Sequence, residues 1–388
     1  MKTFKCNCKD QQILFFENSH CGACNRVVGL DDEFDKVEPY EFDEQSGEYF
    51  KAQQPAIRFQ KCDNHADYQV CNGMVNLNTF EPVEGRDEML CFACRFNETV
   101  PDLSIVEHIP LWEKMEVAKR RALYTLKSLS LPLNNTIQDP EGGLSFDFTT
   151  DRDVSDHFVS KLKDQEPVFT GHNGGHITIN LAEADDIARS HTKLAMGEHY
   201  RTLLGHFRHE LGHYYFDKLI INSDEKHALC KTYFGDDELD YKEALDKHYK
   251  NSSSKANQEW REAFISEYAT MHPYEDWAET WAHYMHIIDT LETAKNFSIS
   301  GSTSGNVLES EEMRDLTLPQ GSIFFSGQTS IDSILDSWMD FSIILNSLNR
   351  SMGMNDAYPF VLTDKVRTKL SFIHHSIHDQ LSSMHSSN

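Results

Sequence analysis

Residues 209–213 have the sequence HELGH, the spacing at which two histidines can share one metal ion. Positions four apart on an α-helix lie about 40° apart in projection, so His209 and His213 can reach the same ion. Glu210 lies beside them, placed to accept a proton from a water that the metal activates. The motif therefore predicts zinc-assisted hydrolysis.

A catalytic zinc of this kind needs a third protein ligand. Residues 214–217 (YYFD) lack the glycine and histidine of the metzincin continuation, so the ligand must come from elsewhere. Pro273 suits the first turn of a later helix, on which Glu275 and Glu279 share one face. We expect Glu275 to be the third ligand, and Glu279 to orient a ligand imidazole through its other ring nitrogen.

The same stretch, residues 268–284, offers alternatives to this assignment. Asp276 is a rival for the part of either glutamate. A histidine could be the third ligand instead, and the available ones are His272, His283 and His286. The apolar face of this helix carries Trp277, Trp281 and Tyr284. Two carboxylates on an otherwise aromatic helix are costly unless they bind something positive, which favours the glutamates as metal-site residues.

Eight of the nine cysteines precede residue 95, which is the number that two four-cysteine zinc sites need. Short loops favour a sequential pairing, although a cross-braced arrangement stays possible and His65 could replace Cys71. The first predicted site is Cys6, Cys8, Cys21 and Cys24, and the second is Cys62, Cys71, Cys91 and Cys94. We expect these two zinc ions to supply folding energy, since such small segments have little core of their own.

The elements that position these residues follow from apolar periodicity. Apolar residues recur at helical spacing over 203–216, which predicts a buried amphipathic helix around the HELGH motif. A second amphipathic helix is predicted over 111–126, with a solvated basic face at residues 119–121 (KRR). Strand-like pieces at 144–148, 168–170 and 176–181 indicate a small sheet, and together with the helices an α+β arrangement.

Two further regions bear on function. Residues 177–180 (ITIN) precede the motif helix, where an edge strand would pair with an extended substrate backbone, but an ordinary inner strand is an equal alternative. Apolar helices at 334–345 and 361–378 are expected to cover the catalytic domain. The three histidines near the tail, His374, His375 and His378, are expected on the surface.

The composition excludes several function classes. With 36 basic and 62 acidic residues the formal net charge is -26, which repels phosphate backbones and anionic lipid. We therefore expect no nucleic-acid or membrane partner, and acidic residues between the cysteine pairs favour a protein or peptide partner for the ribbons. No run approaches the roughly eighteen apolar residues of a membrane span, and no apolar segment precedes Cys6. The expected compartment is the reducing cytoplasm, where clustered cysteines hold metal.

The motifs together resemble a known family. HELGH followed by Glu-x-x-x-Glu is similar to the gluzincin arrangement. The segments GHFRHELGHYYF, ITINLAEADD and HPYEDWAETWAHY, with the cysteine-rich start, resemble a bacterial family of zinc-binding metallopeptidases that carries an N-terminal zinc-ribbon domain. The resemblance covers most of the chain, through residues 349–353 and 358–360. One departure is a Ser/Gly-rich stretch at about 296–330, expected as an inserted or lengthened loop.

The resemblance implies an α+β fold in four parts. A double zinc ribbon is expected at 1–100 and a gluzincin-like zinc-peptidase domain, a small sheet plus the HExxH helix, at 101–295. A flexible insertion at 296–330 and a helical C-terminal part at 331–388 follow. It also implies a role for Tyr268, which matches the position of a catalytic tyrosine in some gluzincin-like peptidases, although His272 and Tyr274 are nearer to Glu275 and a core position for Tyr268 is an equal alternative.

The predicted function is peptide-bond hydrolysis by a zinc metallopeptidase, with Glu210 as general base and a peptide or protein as substrate. The predicted cofactors are three zinc ions, one catalytic and two structural. A zinc-dependent amidase or deacylase acting on a small molecule would use the same centre, in a narrow pocket rather than an open groove beside residues 177–180. A catalytically silent zinc-ribbon binding module is disfavoured by the intact Glu210.

Overall fold

The computed structural model describes residues 2–82, 87–150, 171–189, 202–251, 259–297, 299, 327 and 329–385. The predicted strand at 168–170 and nearly all of the Ser/Gly-rich stretch lie outside these residues. By its internal contacts the chain divides into two units. The cysteine-rich unit is Lys2–Lys127 with Pro132–Ala195, and the HELGH unit is Ser128–Leu131 with Met196–Asn388. The predicted limits of the four parts follow a different division and stay a prediction.

The first part of the cysteine-rich unit is built from short antiparallel strands. β1 (Phe4–Lys5) pairs with β2 (Ile13–Leu14), and β3 (Val28–Leu30) pairs with β4 (Val37–Pro39). A four-stranded sheet follows in chain order, made of β5 (Glu41–Asp43), β6 (Glu48–Lys51), β7 (Gln54–Lys61) and β8 (Met74–Asn76), with the one-turn helix α1 (Asp63–Asp67) between the last two. Such short elements bury little apolar surface, so this part needs another source of stability.

The second sheet of this unit is mixed. Its strands are β9 (Asn97–Thr99), β10 (Ser145–Thr149), β11 (Gly171–Asn173) and β12 (His176–Asn180), in the order β11-β12-β10-β9. β12 pairs in parallel with β10 and forms a hairpin with β11, whose turn is made by Gly174 and Gly175 at φ of 56° and 96°. β12 is thus bonded on both sides. Within the described residues, Ile177 and Thr178 are paired on both sides, so an extended substrate cannot add to them.

Helix α2 (His108–Ser128) extends beyond both limits predicted for it. Lys119 and Arg120 are buried, with 0% and 3% of their surface exposed, so the expected solvated face is wrong for these two residues. Of the three basic residues, only Arg121 keeps much of its side chain in solvent, at 42% exposure. Buried cations require fixed partners, which the cysteine-rich segment provides as described below.

The HELGH unit is helical in the part that the structure describes. Its helices are α3 (Leu203–Phe216), α4 (Asp224–Phe234), α5 (Tyr241–Asn251), α6 (Pro273–Asn296), α7 (Ile331–Ser351) and α8 (Asp364–His385). Helix α3 has the limits predicted from its periodicity, and continues into a π-helical turn at Asp217–Ile221. Helix α6 packs against α3, α7 and α8, which makes it the centre of the unit. Among the described residues, none of the helices has both the length and the apolar composition of a membrane span.

Helices α3 and α6 approach each other closely. Thr202 caps α3 by accepting a hydrogen bond from the Gly205 amide, and α6 begins with Pro273 in its first turn. A Cβ at Gly212 would lie only 2.9 Å from Ala278 Cα, so the absence of a side chain permits the contact. Gly212 O also accepts a hydrogen bond of 2.8 Å from Trp277 Nε1. This approach brings the HELGH motif beside the first turns of α6.

The apolar face of α6 lies in the core as predicted, and α8 packs on it. Trp277, Trp281 and Tyr284 are fully buried. The Tyr284 hydroxyl lies 2.9 Å from His374 Nδ1 of α8, and His374 is itself buried. The expected surface position is therefore wrong for His374, whereas His375 is exposed. His374 faces inward because it provides the hydrogen-bond partner that a buried tyrosine hydroxyl needs.

Candidate metal centre

Three donor side chains converge where α3 meets the first turn of α6. His209 Nε2 lies 2.9 Å from Glu275 Oε2 and 3.1 Å from His213 Nε2, and the three residues are buried. Their donor atoms all lie within 4.8 Å of one another. Bonds of about 2.0–2.1 Å to a tetrahedral zinc ion place its ligand atoms about 3.3 Å apart, so these separations fit one ion.

Glu279 fixes the orientation of His209. Its Oε1 lies 2.8 Å from His209 Nδ1, and its Oε2 accepts a hydrogen bond of 2.6 Å from Ser266 Oγ. A carboxylate on Nδ1 keeps the proton of the imidazole on that nitrogen and leaves Nε2 to face the centre. The structure thus places Glu279 where the spacing of the two glutamates on the helix put it.

Glu210 lies buried beside the donor atoms, as the motif requires. Its Oε1 is 3.3 Å from Nε2 of His206, a residue one helical turn earlier that the sequence analysis did not select. Its Oε2 and His213 Nδ1 are buried without a hydrogen-bond partner among the described residues. Leaving a buried polar atom unpartnered costs about 1–3 kcal/mol, so such atoms mark a place for water or a ligand.

The charges of the centre favour a cation. Burial lowers the pKa of His209, but the hydrogen bonds that Glu275 and Glu279 accept from it outweigh burial and hold that pKa well above its ordinary value. Burial raises the pKa of Glu275, but the neighbouring His213 and His209 bring it well below the ordinary range. His209 likewise outweighs burial at Glu279 and lowers its pKa to about 2. Both carboxylates are charged, and a metal ion can replace the imidazole proton that balances them.

Asp276 and His272, two alternative residues for the metal site, bond to other groups. Asp276 is buried and pairs with Lys369 Nζ at 2.5 Å. His272 caps α6: its Nδ1 accepts a hydrogen bond of 3.1 Å from the Tyr274 amide, and its Nε2 lies 3.1 Å from Leu239 O, to which it donates. Both ring nitrogens of His272 are therefore occupied by the backbone. This geometry favours a structural role for His272 over the predicted catalytic one.

The later histidines of α6 also bond away from the centre. His283 Nδ1 lies 2.9 Å from the Tyr358 hydroxyl, and burial lowers the pKa of His283 to about 4. His286 Nδ1 lies 2.5 Å from a guanidinium nitrogen of Arg208. The other terminal nitrogen of Arg208 forms an ion pair of 2.5 Å with Asp289. Neither histidine belongs to a group of potential metal ligands in the part of the chain that the structure describes. The geometry favours Glu275 over a histidine as third ligand.

Three tyrosines surround the donor atoms. The Tyr274 ring stacks on His213 with centroids 4.0 Å apart, and the Tyr268 ring lies 5.9 Å from that of His209. The hydroxyl of Tyr241 donates a hydrogen bond of 2.9 Å to Glu275 Oε1. Tyr241 could not be found from the sequence, because it begins a short helix far from both motifs and no spacing rule connects it with them.

The N-terminal cysteines form two groups in the cysteine-rich unit. Within each group the four Sγ atoms lie within 4.8 Å of one another. The groups are Cys6, Cys8, Cys21 and Cys24, and Cys62, Cys71, Cys91 and Cys94. The sequential pairing predicts the same two groups, and the second contains Cys71 rather than His65. Four clustered thiols are the donor set of a structural zinc site.

Buried charges of α2 hold the surroundings of the second cysteine group. Asn72, which follows one of its cysteines, accepts a hydrogen bond from the Arg120 guanidinium. Asn97, three residues after the last cysteine, donates a hydrogen bond of 2.8 Å to Glu116 and accepts one from Lys119. Lys119 and Glu116 also form a fully buried ion pair of 2.8 Å. The basic residues expected in solvent thus bind asparagines next to this cysteine group.

Comparisons with known proteins cover both sets of residues. A family model described as “putative zinc-binding metallo-peptidase” matches residues 108–376, and a zinc-ribbon domain model matches residues 3–105. Similar proteins include uncharacterized proteins of Mycobacterium bovis and of two strains of Mycobacterium tuberculosis. Each is 36% identical over 379 residues, which cover 96% of this chain and 94% of the relative. No solved structure shows a significant match.

Proposed function

Because the chain belongs to this family of zinc-binding metallo-peptidases with an N-terminal zinc-ribbon domain, we propose that it hydrolyses peptide bonds as a zinc-dependent metallopeptidase. One observation carries the proposal: His209, His213 and Glu275 converge beside Glu210, whose Oε2 is buried and without a partner among the described residues. Three protein ligands and a neighbouring base are what a hydrolytic zinc centre requires.

The roles of the individual residues follow from their positions. Zinc held by the three ligands supplies a Lewis acid that lowers the pKa of a water molecule and polarises a substrate carbonyl. Glu210 takes a proton from the attacking water through Oε2 and delivers it to the leaving amine. His206 holds the other oxygen of this carboxylate, and Glu279 fixes the ring of His209.

The oxyanion that forms in the reaction needs a hydrogen-bond donor. We assign this part to Tyr268, whose ring lies beside His209. His272 is unsuited to it, because both of its ring nitrogens bond to backbone groups. The expected substrate is a peptide or protein segment.

The two cysteine groups are proposed to hold one structural zinc each, in addition to the catalytic ion. Metal analysis of the purified protein should therefore give about three zinc per chain. His209→Ala should remove one of them and Cys71→Ser another, whereas a wild-type content of one or none would contradict the ribbon assignment. The ribbons are a candidate surface for a protein partner.

The test of the function is a peptide library incubated with wild type and with Glu210→Gln, with cleavage identified by mass spectrometry. Glu210→Gln should keep its zinc and lose turnover by about 100- to 10,000-fold, the usual contribution of a general base. Glu262→Gln is the matched control, since Glu262 is exposed. Full activity of Glu210→Gln in a metal-defined preparation would overturn the assigned base. The same screen should include small N-acyl amides. If these were hydrolysed and no peptide were, the protein would be an amidase.

A further inference from the structure

The hydroxyl of Tyr241 contacts Glu275, one of the predicted metal ligands. It donates a hydrogen bond of 2.9 Å to Glu275 Oε1. The other oxygen of the same carboxylate, Oε2, is the one that lies 2.9 Å from His209 Nε2. Oε1 also lies 3.5 Å from His213 Nε2, so Oε2 makes the closer of the two approaches to a ligand imidazole.

The residues around Tyr241 hold its ring in place. The first turn of α5 is capped by Asp240, whose Oδ1 accepts a hydrogen bond of 2.8 Å from the Glu243 amide. His272 Nε2 donates to Leu239 O at 3.1 Å, two residues before Tyr241. The rings of His272 and Tyr241 also meet edge to face, with centroids 5.4 Å apart. The cap of α6 thus anchors the segment that carries the tyrosine.

We propose that Tyr241 is a positioning residue of the metal centre, whose hydroxyl holds Glu275 Oε1 and so presents Glu275 Oε2 to the zinc ion. This inference rests on the proposed function, because it takes Glu275 as a zinc ligand. His272 acts one step farther out, by anchoring the segment before Tyr241. His272 caps the helix that carries Glu275 and bonds to Leu239 O, so both of its ring nitrogens are used.

The direction of the hydrogen bond supports this role. The Tyr241 hydroxyl is the donor of this hydrogen bond, because the Glu275 carboxylate can only accept. A carboxylate that binds a metal through one oxygen is commonly held through the other, and loss of such an outer partner costs about 10- to 100-fold in metal affinity. Tyr241 is 42% exposed as a residue, so Tyr241→Phe should leave the fold intact.

The test is the zinc affinity of Tyr241→Phe, measured without substrate by competition with a chelator. Each variant is compared with the same variant carrying His209→Ala, so that the difference reports the catalytic ion and not those of the cysteine groups. Tyr241→Phe should weaken this zinc by about 10- to 100-fold. Tyr233→Phe, on α4 and 38% exposed, makes the same chemical change away from Glu275 and should bind zinc as wild type does.

A second variant tests the anchor. His272→Asn keeps a good helix cap but is too short to reach Leu239 O, so it should weaken zinc in the same direction as Tyr241→Phe and by a smaller factor. Combining the two changes should add little to Tyr241→Phe alone, because both act through one hydrogen bond. Additive losses would show that His272 acts by another route.

The outcomes separate this inference from the proposed function. Unchanged zinc affinity in Tyr241→Phe, or an equal loss in Tyr233→Phe, would overturn the positioning role even if Glu210→Gln abolishes hydrolysis. A lower zinc affinity in Tyr241→Phe, with no loss in Tyr233→Phe, supports the role even if the wild-type protein cleaves no peptide. If His209→Ala bound as much zinc as wild type, both the inference and the assigned centre would fail.

Discussion

Replacing Gly212 by alanine tests the packing that assembles the metal centre. A Cβ at this position would lie 2.9 Å from Ala278 Cα and 3.2 Å from Ala278 O. These are backbone atoms of α6, which cannot turn aside as the end of a flexible side chain can. Gly212→Ala should therefore push α3 and α6 apart by a few tenths of an ångström, and with them the ligands that each helix carries.

The loss of stability in Gly212→Ala is best measured relative to a second glycine-to-alanine change in the same helix. Gly205→Ala adds a Cβ 2.9 Å from Thr202 Oγ1, which must also shift, but this atom ends a side chain whereas the atoms that face Gly212 belong to the backbone. Both substitutions gain helix propensity of about 1 kcal/mol, which cancels in the comparison. Overpacking costs about 1–3 kcal/mol, so Gly212→Ala should be less stable than Gly205→Ala by that amount.

The assay is chemical denaturation of both variants in metal-free buffer, followed by titration of zinc into each. In thermal unfolding of the same variants, each kcal/mol of this difference should appear as a difference in Tm of about 2–4 °C in a unit of this size. Gly212→Ala should also bind catalytic zinc more weakly, because ligand positions must hold to within about 0.5 Å. Equal stability and equal zinc affinity in the two variants would refute the close-packing argument.

Three further changes address other parts of the molecule. His206→Ala should lower kcat by about 10- to 100-fold with unchanged zinc content, since it frees the carboxylate of Glu210 to turn, and an unchanged kcat would exclude this role. Lys119→Met leaves Glu116 as an unpaired buried charge and should cost about 3–5 kcal/mol of unfolding free energy, and adding Glu116→Gln should recover part of the loss. Burial lowers the pKa of His374 to about 3, so the unfolded chain binds more protons below about pH 6.5 and the native state loses stability as pH falls from there. In denaturation of metal-free protein at pH 7.5 and 5.0, His374→Gln should show a smaller loss than wild type, and equal losses would contradict the assignment.

The parts of the centre that depend on local spacing could be predicted from the sequence. Helix α3 begins and ends at the predicted residues, because its apolar periodicity lies within the segment itself. Pro273 lies in the first turn of α6, where its fixed backbone angle and missing amide suit the position. Glu275 and Glu279 then fall on one face by helical geometry alone, and in the structure both carboxylates lie beside His209.

The features that the sequence did not predict depend on contacts between distant segments. A run of three basic residues ordinarily indicates a solvated face, yet Lys119 and Arg120 are buried. Their partners Asn97 and Asn72 lie in the cysteine-rich segment, and neither asparagine belongs to a motif that would reveal the contact. Tyr241 could not be predicted for the same reason, since its bond to Glu275 joins two helices with no shared periodicity.

Helices α3 and α6 contribute to the centre in different ways. Helix α3 provides two imidazoles and a base at a spacing that any straight helix would give. Helix α6 provides Glu275 in its first turn, where the positive end of the helix dipole stabilises a carboxylate, and Glu279 one turn later. Neither helix alone carries all three predicted ligands, and what joins the two sets is the approach of Gly212 to Ala278. The glycine of HELGH is therefore required for packing rather than for chemistry, and a substitution there should weaken the metal centre while every ligand remains in the chain.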